Sequence, residues 1–167
     1  MAIQLYTDGS CSKNGSKENF GGYAVILTID NKSVKIYKES KSNTTNNEME
    51  MMAVLQAIKI AKILTKTNKR EVEIFSDSAY VVNTVNTWMN SWAANNWIKK
   101  SDKKPPENLE IVKEIYSLMQ FERCIKVKKI KGHFGEEFNE LADQVAKEAT
   151  REAEQKYLKG EVIKCHK

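Results

Sequence analysis

The sequence predicts an α/β fold in which a mixed β-sheet carries helices on its faces. Two strand-like segments near the N-terminus flank the turn Asp30-Asn31-Lys32, which indicates a β-hairpin. After residue 47, segments with helical and strand-like apolar periodicity alternate, as they do in βαβ units. The composition, 41% hydrophobic and 29% charged over 167 residues, is that of an ordinary globular domain.

The N-terminal half supplies four predicted strands and the first helix. Residues 3–7 alternate apolar and polar side chains, and residues 8–20 have the Gly, Ser and Asn content of a loop. The apolar run 23–29 and residues 33–40 form the two strands of the hairpin. The polar stretch 41–47 is typical of a loop that ends in a helix N-cap. A helix is predicted from there to about residue 64, and a short strand at residues 71–76.

The C-terminal half supplies the remaining helices and the fifth strand. Ser78 is expected to cap a helix that ends near residue 87, before a segment rich in Trp and Lys. Helices at 109–119 and 136–159 flank a strand at 124–129. Because no repeat or linker marks a second unit, we expect a single domain over residues 1–159 and a flexible tail at 160–167.

Composition and charge narrow the classes of function. No apolar run approaches the ~20 residues of a membrane-spanning helix, and no secretory signal is visible. The cysteines Cys11, Cys124 and Cys165 form no metal-binding pattern, so we expect a reduced, cytoplasmic protein with incidental thiols. The net charge of +5 arises in residues 98–131, which hold ten basic and five acidic side chains. A localised positive charge favours a polyanionic partner.

Two aspartates are expected to meet at one edge of the sheet. Asp8 follows the first predicted strand and Asp77 follows the fourth. If these strands are parallel neighbours, their carboxylates lie side by side beyond the strand ends, where α/β sheets place their binding sites. Each residue alone would more simply be a turn or cap residue.

The helices offer further carboxylates. Glu50 lies on the apolar face of its helix, whereas Glu48 lies on a more exposed face, where we expect it to be solvated. An acid on an apolar stripe is costly unless it is paired or binds a metal, so Glu50 is the anomalous one. Asp143 lies at the edge of an apolar stripe, and periodicity alone leaves its role open. Clustered carboxylates without Cys or His ligands favour Mg²⁺ or Mn²⁺.

Five motifs occur in a characteristic order, and together they resemble cellular ribonuclease H of type 1 over nearly the whole chain. They are Thr7-Asp8-Gly9-Ser10, Thr44-Thr45-Asn46-Asn47-Glu48-Met49-Glu50, Ser76-Asp77-Ser78-Ala79-Tyr80-Val81, Lys131-Gly132-His133 and Asn139-Glu140-Leu141-Ala142-Asp143. The resemblance implies a ribonuclease H-like fold with a five-stranded mixed sheet. It also implies an endonuclease that cuts the RNA strand of RNA–DNA hybrids and leaves 5′-phosphate and 3′-hydroxyl ends.

The resemblance further implies a role for each motif. Asp8, Glu50, Asp77 and Asp143 would hold two Mg²⁺ ions, with Mn²⁺ as a possible substitute. His133 would move protons or assist product release beside the metals, which suits a side chain with a pKa near 6.5. We expect the protein to act as a monomer, without a membrane, on an RNA–DNA hybrid.

Substrate contacts are implied in three places. The RNA-strand readers would be the side chains of Asn14, Asn46 and Asn47, with Cys11 and Gly15 nearby, because amides can sense the ribose 2′-hydroxyl. Thr45 and Asn108 resemble part of a pocket for a DNA phosphate. Tyr80 and Trp88 would line the DNA channel. A basic protrusion, which we call the handle, would contribute Lys99, Lys100, Lys103 and Lys104.

Two departures from the family pattern bear on affinity. Some members have Arg where this chain has Asn43, which predicts a weaker grip on the phosphate. Some carry Gln where this chain has Ala79, which removes one possible minor-groove contact.

Two other classes of function stay open at the level of sequence. A catalytically inactive module that binds hybrid or duplex RNA would be expected to have lost acids, whereas all four are present. A related nuclease, such as an integrase or resolvase, would not be expected to carry the Asn46-Asn47 loop or the Trp- and Lys-rich handle.

Overall fold

The computed structural model describes residues 1–12, 18–67, 70–130 and 136–159. The expected tail, residues 160–167, lies outside these ranges. The strands are β1 Ile3–Ser12, β2 Phe20–Ile29, β3 Lys32–Ser42, β4 Val72–Ser76 and β5 Ile125–Lys129. The helices are α1 Asn46–Thr67, α2 Ala79–Asn83, α3 Met89–Ala94, α4 Leu109–Met119 and α5 Glu136–Leu158.

The five strands form one mixed sheet in the order β3-β2-β1-β4-β5. β1 pairs antiparallel with β2, and β2 pairs antiparallel with β3, so the predicted N-terminal hairpin is present. β4 lies parallel to β1 on one side and to β5 on the other. The predicted fold class is therefore confirmed, and so is the parallel arrangement of the first and fourth strands.

Helices cover both faces of the sheet, which is why the central strand β1 is buried from Ile3 to Asp8. On one face, α1, α2 and α4 pack over a large core that includes Leu5, Ile74 and Ile58, all fully buried. On the other face, α5 packs over a smaller core around Tyr6, whose ring stacks on Phe75 with centroids 5.1 Å apart. Both cores reach the edge at which β1 and β4 separate.

The position of α5 depends on a small residue in β2. A Cβ placed on Gly22 would lie 2.7 Å from the Ala149 side chain and 2.8 Å from the Ala146 carbonyl oxygen. Because real Cβ atoms do not approach so closely, only glycine lets this helix rest directly on the strand. This contact sets how near the helix that carries Asp143 comes to the centre of the sheet.

β1 is longer than the sequence predicts. Residues 8–12 were expected in a loop, but they continue the ladder, with Asp8 opposite Ala24 and Ser12 opposite Phe20. Their Gly and Ser content is unfavourable for a strand, yet β2 supplies a complete set of backbone partners, which outweighs the local propensity. Asp8 therefore lies inside an antiparallel pair rather than after the strand.

The helix after β4 also extends beyond its predicted end near residue 87. α2 continues through a π-helical turn, Thr84–Trp88, directly into α3, which ends at Ala94. Within this segment the Thr84 hydroxyl donates to the Tyr80 carbonyl oxygen at 2.8 Å. Two of the three tryptophans consequently lie on one helical rod, and the Lys-rich handle begins after it.

The handle is a closed loop between α3 and α4. Its backbone is pinned by hydrogen bonds from Lys99 N–H to the Lys104 carbonyl (2.9 Å) and from Lys103 N–H to the Lys99 carbonyl (3.0 Å). At its base the Trp97 ring meets the Tyr116 ring edge-on at 5.3 Å. In the part of the chain that the structure describes, no helix combines the length and the apolarity needed to cross a membrane.

Candidate active site

Asp8 and Asp77 meet where the β1–β4 ladder ends. The last paired residues are Tyr6 and Phe75, and the Thr7 hydroxyl donates to the Phe75 carbonyl oxygen at 2.8 Å just beyond them. The two aspartates therefore start from adjacent, fixed points of the backbone. Since parallel strands end at the same edge of the sheet, both carboxylates face one position, as the sequence predicts.

Hydrogen bonds on each side of Asp77 fix its backbone. The Ser76 hydroxyl accepts a bond from Ser78 N–H at 3.1 Å, and the Ser76 carbonyl accepts one from Ile130 N–H at 3.0 Å. The Ser78 hydroxyl accepts from Val81 N–H at 3.2 Å and caps α2, as predicted. Asp77 is thus held between the end of a strand and the start of a helix.

Glu50 reaches the same point because α1 lies directly on β1. A Cβ placed on Gly9 would lie 2.4 Å from the backbone nitrogen of Glu50, so no other residue allows this approach without displacing the helix. Oxygen atoms of Asp8, Glu50 and Asp77 all lie within 4.8 Å of one another. We call these three residues the acidic triad.

The triad is electrostatically strained without a cation. Burial raises the pKa of Glu50, and the neighbouring Asp8 charge raises it further, against a smaller opposing effect of Gly9 N–H. Burial, followed by the charges of Asp77 and Asp143, also raises the pKa of Asp8, although its hydrogen bond with Glu50 acts in the opposite direction. Burial and the Asp143 charge raise the pKa of Asp77.

The donor set fits a hard divalent cation. The buried Oε2 atom of Glu50 has no hydrogen-bond partner among the described residues. A cation bound between the three carboxylates would coordinate that oxygen and remove their mutual repulsion. Carboxylate oxygens are the ligands that Mg²⁺ and Mn²⁺ prefer.

Asp143 lies at the border of the triad. Its carboxyl group hydrogen-bonds with that of Asp8, and its Oδ2 atom pairs with Lys147 Nζ at 2.9 Å. Burial acts to raise the pKa of Asp143, but the hydrogen bonds from Lys147 and Asp8 outweigh it and hold the pKa below its ordinary value. The side chain of Asp143 is 44% exposed, so it is more accessible than that of the buried Asp8.

Glu48 differs from its predicted solvated state. Its side chain is only 20% exposed, and Lys41 Nζ lies 3.0 Å from both of its carboxylate oxygens. The Thr44 hydroxyl donates to the same carboxylate at 2.5 Å. The helical periodicity of α1 correctly separates Glu48 from Glu50, but it says nothing about the preceding turn, which folds back over Glu48.

The predicted RNA-reading residues lie beside the triad as far as the structure describes them. Asn46 and Asn47 form the exposed first turn of α1, immediately before Glu48. Cys11 lies in β1, and its thiol donates to the Thr44 carbonyl at 3.7 Å, which places it against this turn. The predicted site residues Asn14, Gly15 and His133 lie outside the described residues.

Thr45, Asn43 and Asn108 have the backbone roles of turn and cap residues. The Thr45 hydroxyl accepts a hydrogen bond from Glu48 N–H at 3.1 Å and so caps α1. Asn43 and Asn108 are both left-handed, with φ of 54° and 58°, which asparagine tolerates better than most residues. The side chain of Asn108 makes no capping hydrogen bond, so it is not occupied by α4.

An aromatic row borders the handle. The ring of Trp88 lies 5.7 Å from that of Tyr80 and 6.2 Å from that of Trp92, measured between centroids. Trp88 is 38% exposed, so part of its ring faces solvent. Trp92 and Trp97 are both partly buried against the main core.

The handle lysines are not equivalent. Lys99 pairs with Asp102 at 3.0 Å and is partly buried, so its charge is largely compensated. Lys100, Lys103 and Lys104 are exposed and have no acidic partner among the described residues. The handle therefore presents three uncompensated charges rather than the four expected from the sequence.

Three comparisons relate the chain to known proteins. The family model for RNase H matches residues 1–151. A ribonuclease H of Clostridium botulinum is 36% identical over 151 residues, which is 90% of this chain and 96% of the relative. The structure of LC9-RNase H1, a type 1 RNase H with the type 2 active-site motif, matches with a TM-score of 0.65 at 28% identity, covering 89% of this chain and 72% of that chain. LC11-RNase H1 in complex with RNA/DNA hybrid shares the fold, with a TM-score of 0.65 at 22% identity over 90% of this chain and 98% of that chain.

Proposed function

The chain belongs to the RNase H family, and on that premise we propose that it cuts the RNA strand of RNA–DNA hybrids, leaving 5′-phosphate and 3′-hydroxyl ends. The observation that carries the proposal is the acidic triad, in which the buried Glu50 Oε2 atom has no hydrogen-bond partner among the described residues. The family model and the relatives confirm the resemblance to this family, and the chain is a metal-dependent nuclease.

The proposed cofactor is Mg²⁺, held by Asp8, Glu50 and Asp77, with Asp143 as the fourth ligand. Two bound ions would activate the attacking water and stabilise the charge that develops on the scissile phosphate and the leaving 3′-oxygen. The rigid backbone around Asp8 and Asp77 keeps their carboxylates in place, so little reorganisation is needed during the reaction. Asp143, whose side chain is 44% exposed, can adjust more freely than the buried Asp8.

Proton movement is assigned to His133, as the family resemblance implies. An imidazole with an ordinary pKa can accept and release a proton near neutral pH. We propose that it assists proton transfer or product release beside the metals.

Strand choice is assigned to the asparagines that the family resemblance implies as readers of the RNA strand. Asn46 and Asn47, with Asn14, are proposed to contact ribose 2′-hydroxyls, which only the RNA strand offers. Thr45 and Asn108 are proposed to bind a phosphate of the DNA strand. Tyr80 and Trp88 are proposed to border the channel for that strand, because the exposed Trp88 ring lies against Tyr80.

The test is cleavage of three matched duplexes of one sequence, labelled on each strand in turn, in Mg²⁺. We expect cuts in the RNA strand of the hybrid and none in duplex DNA or duplex RNA. Binding without any cut would favour an inactive binding module, and cleavage of DNA would favour a nuclease of the integrase or resolvase type.

The handle yields a quantitative prediction. Changing Lys100, Lys103 and Lys104 to Gln should weaken hybrid binding and flatten the slope of log affinity against log salt by about one to two units. Each phosphate contact adds roughly 0.7–0.9 to that slope through counterion release. Turnover at saturating substrate should change little, since these side chains belong to a separate loop. The measurement is a salt titration of hybrid binding by fluorescence anisotropy.

The matched control removes the same charge elsewhere. Lys32, Lys66 and Lys126 are exposed and make no ion pair with a described residue. Their triple change to Gln lowers the net charge equally, and we expect a clearly smaller change in slope. Equal slopes in the two triple variants would show that the handle acts only through overall charge.

A further inference from the structure

Glu48 is bonded to three residues that precede α1, two of them through its carboxylate and one through its backbone. Both carboxylate oxygens of Glu48 lie 3.0 Å from Nζ of Lys41 in β3, and one of them accepts a hydrogen bond from the Thr44 hydroxyl at 2.5 Å. Its own backbone N–H donates to the Thr45 hydroxyl at 3.1 Å. An exposed acid would not need so many partners, and at 20% exposure this one is largely withdrawn from solvent.

These bonds close a ring around Asn46 and Asn47. One bond of the ring runs from Thr44 on the N-terminal side to Glu48 on the C-terminal side, and a second runs between Glu48 and Thr45. The two asparagines lie between the ends of the ring, and neither side chain has a hydrogen-bond partner among the described residues. Their backbone is therefore fixed while their amides stay available.

The ring is anchored to the sheet by Thr44. This residue is 4% exposed, and its backbone N–H donates to the Asn19 side-chain oxygen at 2.7 Å. Its methyl group packs where Gly21 has no side chain. Because Thr44 cannot move independently of the sheet, a bond from its hydroxyl to Glu48 ties the first turn of α1 to a rigid base.

We propose that Glu48 is a positioning residue for substrate recognition, which holds Asn46 and Asn47 in the orientation that reads the RNA strand. This inference rests on the proposed function, and it names a residue outside the predicted site that supports recognition of the RNA strand. Glu48 does not touch the substrate in this role. It acts through Thr44 and Lys41, so that its loss loosens the reading loop while the acidic triad stays intact.

The test compares two substitutions at the same position. Glu48→Ala removes every acceptor, and we expect KM for the hybrid to rise about tenfold with kcat within about twofold, the effect of losing one or two charge-assisted hydrogen bonds. Glu48→Gln keeps an oxygen that can accept from Thr44 and Lys41, and we expect it to restore most of the affinity. A residue that matters only for folding would change thermal stability without this split between KM and kcat.

One further variant tests whether Glu48 acts through the Thr44 hydroxyl, and a second serves as a control. Thr44→Val keeps the shape but removes the hydroxyl, and its effect on KM should not add to that of Glu48→Ala, because both break the same bond. Glu114→Ala is the matched control, since it breaks the exposed ion pair between Glu114 of α4 and Lys59 of α1, at 3.0 Å, and should leave KM unchanged. The rise in Tm on addition of Mg²⁺ should be the same in Glu48→Ala as in the unchanged protein.

The outcomes separate this inference from the proposed function. Absence of hybrid cleavage by the unchanged protein would overturn the proposed function, whatever the variants do. Cleavage by the unchanged protein with an unaltered KM in Glu48→Ala would overturn only the role of Glu48. A fall in kcat would also overturn it, because it would indicate an effect on the triad. Equal defects in Glu48→Ala and Glu48→Gln would overturn it too, because they would indicate an effect of charge alone.

Discussion

Asp77→Asn is expected to lower hybrid cleavage in Mg²⁺ by about a thousandfold or more, while hybrid affinity stays within about threefold. The substitution keeps the size of the side chain and leaves the flanking hydrogen bonds of Ser76 and Ser78 in place. It removes one of the three carboxylates that would bind the cation, and substrate contacts are assigned to other residues. Single-turnover cleavage and anisotropy with the same labelled hybrid measure the two effects separately.

Asp30→Asn is the control for this substitution. Asp30 lies in the β2–β3 turn with φ of 50°, a conformation that Asn tolerates, and its carboxylate accepts a hydrogen bond from Ala2 N–H at 2.7 Å. It lies beyond the opposite end of β1 from the triad, so we expect normal cleavage. Substantial Mg²⁺-dependent turnover by Asp77→Asn would remove Asp77 from the site.

Glu50→Gln should abolish cleavage and at the same time stabilise the metal-free protein. The change keeps the shape of the side chain and removes the cost of burying an ionisable carboxyl group beside Asp8, where its pKa is raised. We expect the free energy of unfolding at neutral pH in EDTA to rise by about 2 kcal/mol, or Tm by about 5 °C. Thermal unfolding with and without Mg²⁺ is the measurement. Metal should raise the Tm of the unchanged protein and have much less effect on the variant.

The gain in stability should depend on pH with a definite sign. Burial and the Asp8 charge raise the pKa of Glu50 above its ordinary value of 4.5, so the folded state binds this proton more tightly than the unfolded state. The metal-free protein therefore loses stability as pH rises from about 4.5 through neutrality, where the unfolded chain releases the proton first. The variant has no such proton, and the difference in Tm should shrink as pH falls towards 4.

Glu48→Gln is the control on the same helix. It removes a charge two residues from Glu50, but its carboxylate faces Lys41 and Thr44. We expect cleavage near that of the unchanged protein and no stabilisation in EDTA. An active Glu50→Gln together with an inactive Glu48→Gln would show that the register of α1 relative to the site is wrong.

Periodicity and strand order are enough to predict the sheet and to single out the three acids that the structure brings together. The alternation in the first strand and the βαβ pattern identify the parallel pair that brings Asp8 and Asp77 together. The helical face of α1 singles out Glu50, because a carboxylate among apolar side chains has few explanations. These inferences use local patterns whose physical cause acts within a few residues.

Other features depend on contacts between distant segments, which local patterns do not encode. β1 continues to Ser12 because β2 offers it backbone partners, not because its own residues favour a strand. The Lys41–Glu48 pair depends on how the turn before α1 folds back. The Lys147–Asp143 pair could have been found, since a lysine four residues after an aspartate on a helix is within reach of it.

The widened turn Thr84–Trp88 has an angular consequence for the aromatic row. In a regular α-helix, residues eight positions apart differ by 800°, so Tyr80 and Trp88 would point about 80° apart around the axis. In a π-helical turn each residue advances by only about 80°, and five such steps remove nearly all of that difference. The two rings therefore come into phase, which agrees with their contact at 5.7 Å. The alignment of the row is a property of the backbone, and deleting one residue from the turn would rotate Trp88 out of it while leaving every side chain of the row present.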